Sequence, residues 1–133
     1  MSARRLTYLD SSAIVKLVVE EPESNALRKY LRRRQPWVAS ALARTEVARA
    51  LLALGPVAQR RLSEVLSRLE LIRVSERVLV SAGALLPPDT RSLDAIHLAT
   101  ALLLGPELGR LVTYDSRMAQ AARANSCAVI APS

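Results

Sequence analysis

Carboxylates stand at three points of this chain where an apolar run gives way to a helix-like stretch. Asp10 follows the run LTYL, Asp94 opens DAIHLATAL, and Asp115 follows LVTY. In an open α/β sheet, ligands bind outside the carboxyl ends of the strands, so acids at those ends are expected to converge. Convergent carboxylates repel one another unless a cation lies between them, and hard divalent cations prefer oxygen ligands. The pattern therefore predicts a divalent metal site.

Each aspartate taken alone has a simpler interpretation, because Asp is a favoured N-cap residue of helices. Glu46 differs from them. Around its predicted helix it lies beside Leu42, Ala43 and Ala50, at the edge of the apolar stripe, where an isolated carboxylate is costly. We therefore expect Glu46 to be paired or to bind a ligand. The four acids together favour a functional interpretation more strongly than any one of them does.

Composition limits the classes of partner. The 133 residues carry a formal net charge of +7, which favours an anionic partner, nucleic acid first. Half of the residues are apolar, which is enough for one core and one domain spanning residues 1–133. No stretch suggests a membrane span, and the lone Cys127 excludes an intramolecular disulfide. We expect a cytoplasmic protein with no membrane partner.

Strand-like runs alternate with helical patterns, which predicts an α/β fold with a mostly parallel sheet of four to five strands flanked by helices. The predicted strands cover residues 5–9, 36–39, 71–74, 111–114 and 128–130. The predicted helices cover residues 11–19, 23–33, 40–54, 57–69, 75–86, 94–104 and 118–124. Ser40 and Ser75 are expected to cap the helices that follow them. The helix that begins at Asp94 has almost no polar face, so we expect it to be buried.

Four stretches, in this order and spacing, resemble the PIN domain family, and most closely its VapC-type toxins. They are YLDSSAIVKL, TEVARAL, LDAIHLATAL and LVTYDSRMAQAA. The resemblance extends from the first predicted strand to the last, and so it is more specific than any single motif. It implies an α/β/α nuclease with an acidic pocket that holds Mg²⁺ or Mn²⁺.

The resemblance also assigns residues and partners. It implies an acidic quartet that binds metal and cleaves RNA, with two hydroxyl residues beside it as second-tier candidates. The quartet is Asp10, Glu46, Asp94 and Asp115, and the hydroxyl residues are Ser12 and Thr113. Glu46 would complete the metal shell or accept a proton from the attacking water. The implied partners are an RNA substrate, a cognate antitoxin protein and a second copy of the chain.

Other interpretations stay open from the residues alone. One is a basic RNA-binding module without turnover. Another is an aspartyl-phosphate phosphotransferase with Asp10 as nucleophile, although Ser12 stands where such enzymes carry a second Asp. The basic run at residues 28–34 is either a solvated helix end or a phosphate track. His97, one turn after Asp94, is expected to be a hydrogen-bonded interior histidine rather than a ligand.

Overall fold

The computed structural model describes residues 5–133 and confirms the predicted parallel sheet. Its five strands have the spatial order β3-β2-β1-β4-β5, and every neighbouring pair is parallel. The strands are β1 (Leu6–Leu9), β2 (Trp37–Ser40), β3 (Glu70–Ile72), β4 (Leu108–Val112) and β5 (Val129–Ile130). Connections between parallel strands must cross over the sheet, which is why helices separate them in sequence.

Helices cover both faces of the sheet. They are α1 (Ser11–Val18), α2 (Ser24–Leu31), α3 (Leu42–Ala50), α4 (Pro56–Leu66), α5 (Glu76–Gly83), α6 (Ser92–Leu102) and α7 (Ser116–Ala124). The first four pack with one another on one face of the sheet. On the other face lie α6 and α7, and α5 packs against α6. No helix among the described residues is long and apolar enough to cross a membrane.

The two-residue period of the strands divides the core between the faces. Leu9, Ala39 and Val112 point into the first core with α1 to α4. Tyr8 and Leu111, one residue earlier in their strands, point into the second core with α6 and α7. Since β1 is central and buried on both sides, all four of its residues are buried.

The fourth strand lies earlier in the chain than predicted. It covers Leu108–Val112, so Thr113 and Tyr114 lie beyond its end. Side chains accept the next backbone N–H groups: the Tyr114 N–H donates to Ser12 Oγ at 2.9 Å, and the Asp115 N–H donates to Thr113 Oγ1 at 3.0 Å. These bonds end the strand and bring Thr113 to the site.

Two helix starts also differ from the prediction. Helix α6 begins at Ser92, so Asp94 lies inside its first turn and is not an N-cap; the backbone bond from Ala95 N–H to Arg91 O already closes that turn. Before α3, Ser40 ends strand β2 and Ala41 is the N-cap. The Ser40 hydroxyl nevertheless accepts the Leu42 N–H at 3.1 Å.

The predicted helix over residues 40–54 breaks in two. Helix α3 ends at Ala50, and a single 3₁₀ turn follows at Leu52–Leu54. Gly55 then takes a positive φ of 82°, which glycine adopts without steric cost. Pro56 occupies the first position of α4, where its missing N–H costs nothing. Elsewhere the predicted elements differ from the observed ones only at their ends, and the predicted Ser75 cap of α5 is confirmed.

Candidate active site

The acids lie where the connections that follow neighbouring strands leave toward opposite faces of the sheet. The chain leaves β1 toward one face, through α1, and leaves β4 toward the other, through α7. Since β1 and β4 are neighbours, their carboxyl ends flank a crevice of the kind where open α/β sheets bind ligands. Asp10 follows β1 and Asp115 follows β4 by a short turn. The fold therefore brings together two acids that are far apart in sequence.

Asp10 is a buried carboxylate in a dense set of donors. Its side chain is 4% exposed. Thr113 Oγ1 donates to Oδ2 at 2.5 Å, while Ser12 Oγ and the Ala13 N–H donate to Oδ1 at 2.7 and 3.1 Å. Burial nevertheless dominates these bonds and raises the pKa of Asp10. Both second-tier hydroxyl residues of the sequence prediction thus contact this acid and fix its orientation.

Glu46 is paired, as its place at the edge of an apolar stripe predicts. Its Oε1 accepts from Ser11 Oγ at 2.6 Å and lies 2.5 Å from His97 Nε2. Burial raises the pKa of Glu46, but the hydrogen bonds from His97 and Ser11 outweigh burial, so the net shift is downward. Glu46 is therefore a carboxylate at neutral pH, with one oxygen held in place by two donors.

Tyr8 and Glu46 contact the two ring nitrogens of His97. The Tyr8 hydroxyl accepts the Ser40 N–H at 3.2 Å, so its own proton is free to go to His97 Nδ1, 2.9 Å away. Burial raises the pKa of Tyr8 well above its usual value, which keeps that proton on the phenol. Because the Glu46 carboxylate can only accept, Nε2 carries the hydrogen that points to it. The expectation of a hydrogen-bonded interior histidine is confirmed.

Asp94 and Asp115 complete the acidic set from opposite sides of the crevice. Asp94 is half-buried, and no hydrogen bond to another described residue holds its carboxylate. Burial raises its pKa, and the negative charge of Asp115 raises it further, with smaller effects from Asp10 and Glu46. Asp115 is exposed, and its Oδ1 accepts the Arg117 and Met118 N–H groups at 2.8 and 3.3 Å. It therefore caps α7 as well as facing Asp94.

The donor set fits a hard divalent cation. Asp94 interacts electrostatically with the other three acids, and a positive charge between them would offset this repulsion. Oxygen ligands without a cysteine set suit Mg²⁺ or Mn²⁺ rather than zinc. Among residues 5–133, no three His, Cys, Asp or Glu side chains lie in an arrangement that could hold a metal ion. Binding of one cation by these acids would therefore require their side chains to move closer together.

The basic run beyond α2 is only partly free. Arg28 forms a two-pronged ion pair with Glu20, at 2.9 and 3.1 Å. The Arg34 guanidinium stacks on the Tyr30 ring, 3.9 Å from its centroid, and donates to the Tyr30 carbonyl. Lys29, Arg32 and Arg33 are exposed. The phosphate-track interpretation therefore applies to three of the five cations at most.

The model of the PIN domain family matches residues 7–124, which includes all four acids. The chain belongs to the PIN domain family. This PIN domain is 63% identical over 126 residues to Ribonuclease VapC46 of Mycobacterium tuberculosis, covering 95% of this chain and 97% of the relative. It is 44% identical over 131 residues to Ribonuclease VapC35 of the same species, covering 96% and 97% of the two chains.

Solved structures share the fold of this PIN domain at lower identity. A toxin–antitoxin complex from Klebsiella pneumoniae superposes with a TM-score of 0.73 at 22% identity, covering 96% of this chain and 98% of that one. VapBC2 from Rickettsia felis, bound to a DNA fragment from its promoter, superposes with a TM-score of 0.73 at 17% identity, covering 96% of this chain and 99% of that one. At these identities the likeness supports the α/β/α architecture alone.

Sequence reasoning missed two contributors to this site. The sequence patterns assign no role to Tyr8 or to Ser11. Strand periodicity carried a usable signal, since Tyr8 lies two residues before Asp10 on the same side of β1. Ser11 opens α1 directly after the capping acid, but nothing local indicates that its hydroxyl reaches Glu46, 35 residues away.

Proposed function

We propose that this PIN domain is a metal-dependent endoribonuclease and the toxin of a toxin–antitoxin pair. One observation carries the proposal: Asp94 lies within electrostatic range of the other three acids at the β1/β4 crevice, where burial raises its pKa and the charge of Asp115 raises it further, with smaller effects from Asp10 and Glu46. The basic chain suits a polyanionic substrate. Two relatives of nearly equal length are named as ribonucleases, which supports RNA as that substrate.

The residues supply complementary parts of phosphodiester hydrolysis. Asp10, Asp94 and Asp115 would hold Mg²⁺ or Mn²⁺, which supplies charge stabilisation to the phosphate and activates water. Thr113 and Ser12 orient the Asp10 carboxylate. Glu46 is ionised at neutral pH and held by His97 and Ser11, so it can accept a proton without reorienting.

The test is cleavage of single-stranded RNA by the purified chain. Cleavage should require Mg²⁺ or Mn²⁺ and cease with EDTA. Asp115→Asn should lower the rate by about two orders of magnitude or more, because the ligand charge is lost. Asn still caps helices, so α7 should be preserved. The matched control is Glu107→Gln, an exposed residue before the amino end of β4, which should keep wild-type activity.

Two results would contradict this function. Cleavage that persists in EDTA, or in Asp115→Asn, would remove the metal mechanism. RNA binding without turnover in the presence of Mn²⁺ would support the binding-module alternative. The phosphotransferase alternative requires a covalent phosphoryl group on Asp10, which intact-mass measurement after incubation with a phosphoryl donor would detect. Asp10 has both oxygens hydrogen-bonded within the fold, which does not favour a nucleophile.

The antitoxin partner is proposed to cover the connection between α3 and α4. Leu52, Leu54 and Val57 are 63%, 58% and 58% exposed there, an unusual cluster of large apolar side chains. Such a surface suits the apolar side of a partner helix. We place the pair in the cytoplasm. The homodimer stays a prediction, which a monomeric mass in sedimentation at micromolar concentration would contradict.

A further inference from the structure

A cleft of about 540 Å³ opens beside the acidic crevice and shares Asp94 with it. It lies between the loop that precedes α6 and one face of α7, from Arg117 to Ala124. Its volume falls in the range of small-molecule and nucleotide sites, about 300–1,000 Å³. Pro87 and Ala121 give it apolar walls, while Arg91, Arg117 and Gln120 supply charge and hydrogen-bonding groups. The metal chemistry described above uses none of these five residues.

We propose that this cleft binds the ribonucleotide next to the scissile phosphate and so contributes to choice of the cleavage site. The inference rests on the proposed function, because it assumes an RNA substrate. Since Asp94 lines both the cleft and the crevice, a chain with one phosphate at the acids can place its neighbouring nucleotide in the cleft.

Two arginines can donate hydrogen bonds to the phosphate of that nucleotide. Arg91 and Arg117 are exposed, and neither forms an ion pair with a described residue. Guanidinium groups bind phosphate oxygens in pairs through their fixed fork of N–H groups. Arg91 is also the N-cap residue of α6, a helix whose first turn has no side-chain cap. Its uncapped N–H groups and helix dipole add to the attraction for an anion.

The base of that nucleotide fits the rest of the lining. A nucleobase has apolar faces and a polar edge, and single-stranded RNA exposes both. Pro87 and Ala121 can contact the faces, and the Gln120 amide offers a donor and an acceptor to the edge. Asp89, also in the lining, presents acceptors only and opposes the phosphate. The negative group therefore directs the phosphate toward the two arginines.

Hydrogen bonds hold the walls of the cleft in position. Asn125 Nδ2, beyond the end of α7, donates to the Leu86 carbonyl at 2.8 Å. Within the loop, Thr90 Oγ1 donates to the Pro87 carbonyl at 2.7 Å. The first bond joins the α7 side to the loop side and the second holds the loop itself, so little ordering is needed when a ligand enters.

The test measures RNA affinity and cleavage with the full chain. A fluorescent single-stranded RNA of mixed sequence is bound in EDTA, where it is not cut, and cleaved with Mn²⁺. Arg91→Ala and Arg117→Ala should each weaken binding and raise KM about three- to tenfold while kcat changes little. Each should also reduce the slope of log K against log salt by about 0.7, the value for one phosphate contact in single strands.

The matched control is Arg123→Ala, since Arg123 is exposed on the same helix but does not line the cleft. Its KM and salt slope should equal those of the wild type. Arg117→Lys should recover part of the salt slope because it restores the charge. Asp89→Asn should tighten RNA binding, the opposite of the effect of the two arginine-to-alanine variants. Gln120→Ala should shift the pattern of cut sites without changing the salt slope.

Equal KM and salt slope in Arg91→Ala, Arg117→Ala and Arg123→Ala would overturn the inference. If such enzymes still lose cleavage on Asp10→Asn, the proposed function stands and only the cleft assignment fails. A wild-type chain that neither binds nor cuts RNA would overturn both.

Discussion

Asp94 is the least satisfied of the four acids. Asp10 accepts three hydrogen bonds and Glu46 accepts two, and Asp115 accepts two backbone N–H groups of α7. The Asp94 carboxylate has no such bond to a described residue, and burial together with Asp115 raises its pKa. An ionised group in this position costs folding energy when no cation is bound. Its value to the protein is therefore expected to come from ligand binding.

Asp94→Asn should make the metal-free protein as stable as the wild type, or more stable, at neutral pH. Because the folded-state pKa of Asp94 is raised, its carboxyl group costs the wild type no folding stability below the ordinary pKa of about 3.9, where it is protonated in both the folded and the unfolded state. The wild type loses folding stability as pH rises through the raised pKa, because the folded state disfavours the ionised carboxylate. The advantage of the mutant should therefore be absent at low pH and appear above about pH 4. Thermal melting in EDTA across this range measures it.

Metal addition separates a ligand from a structural acid. At a hundredfold excess over Kd, Mn²⁺ should stabilise the wild type by about 2.7 kcal/mol, a melting shift on the order of 10 °C. Most of this shift should disappear in Asp94→Asn. A metal-free mutant that melts well below the wild type would mean that Asp94 serves the first turn of α6 structurally.

At the scale of elements, the pairing of β1 with β4 sets the position of the site. The register shifts at its start: Leu6 pairs with Leu108 and Thr7 with Arg110, so Gly109 is skipped. A Cβ on Gly109 would lie 3.1 Å from both Arg5 Cβ and the Leu6 carbonyl oxygen. The strands can approach this closely only because residue 109 has no side chain. Asp10 and Thr113 continue these same two strands.

Gly109→Val should destabilise the fold by about 1–3 kcal/mol, the usual cost of overpacking. Valine is otherwise favoured in strands, so local propensity alone predicts the opposite sign. Gly83→Ala is the control, because a Cβ there meets no atom within 4 Å. It should be neutral or stabilise by up to about 1 kcal/mol. Urea unfolding measures the free energy of unfolding of both variants. A Gly109→Val protein as stable as the wild type would refute the close-approach argument.

At the scale of the whole molecule, several large apolar side chains are exposed, including Leu86 and Leu93 on either side of the loop that precedes α6. Leu52, Leu54 and Val57 form one group at the α3–α4 connection, and Leu79 and Val80 form another on α5. Neither group includes one of the four acids of the proposed site. A partner on the first group would therefore bind without displacing any residue of the fold.

Leu54→Asp should break the complex with the antitoxin, because a buried unpaired charge at an apolar interface is costly. RNA cleavage by the toxin alone should be unchanged. The control is Val80→Asp, since Val80 is 68% exposed on α5. The antitoxin should still neutralise this variant. Co-expression with the antitoxin gives a direct measurement: cells should stop growing with Leu54→Asp and grow with Val80→Asp. The reverse pattern would move the antitoxin to α5.

The sequence by itself determined the local parts of this protein. Alternating runs predicted the strands, apolar stripes predicted the helices, and Glu46 at the edge of its stripe predicted a paired acid. These features depend on neighbours within a few positions, and periodicity records them. The family motifs added the quartet and the two hydroxyl residues, whose roles stay predictions.

The tertiary structure alone decided what distant residues do to one another. Tyr8 and His97 are 89 positions apart, and His97 and Glu46 are 51 apart, so no local pattern shows that they form one chain of hydrogen bonds. The end of β4 and the start of α6 were misplaced for a related reason. A hydroxyl from the other strand end, Ser12, takes the Tyr114 N–H, and backbone bonding rather than residue type starts α6 at Ser92. Which acid remains unpaired depends on packing in three dimensions, and a sequence does not encode that in any single stretch.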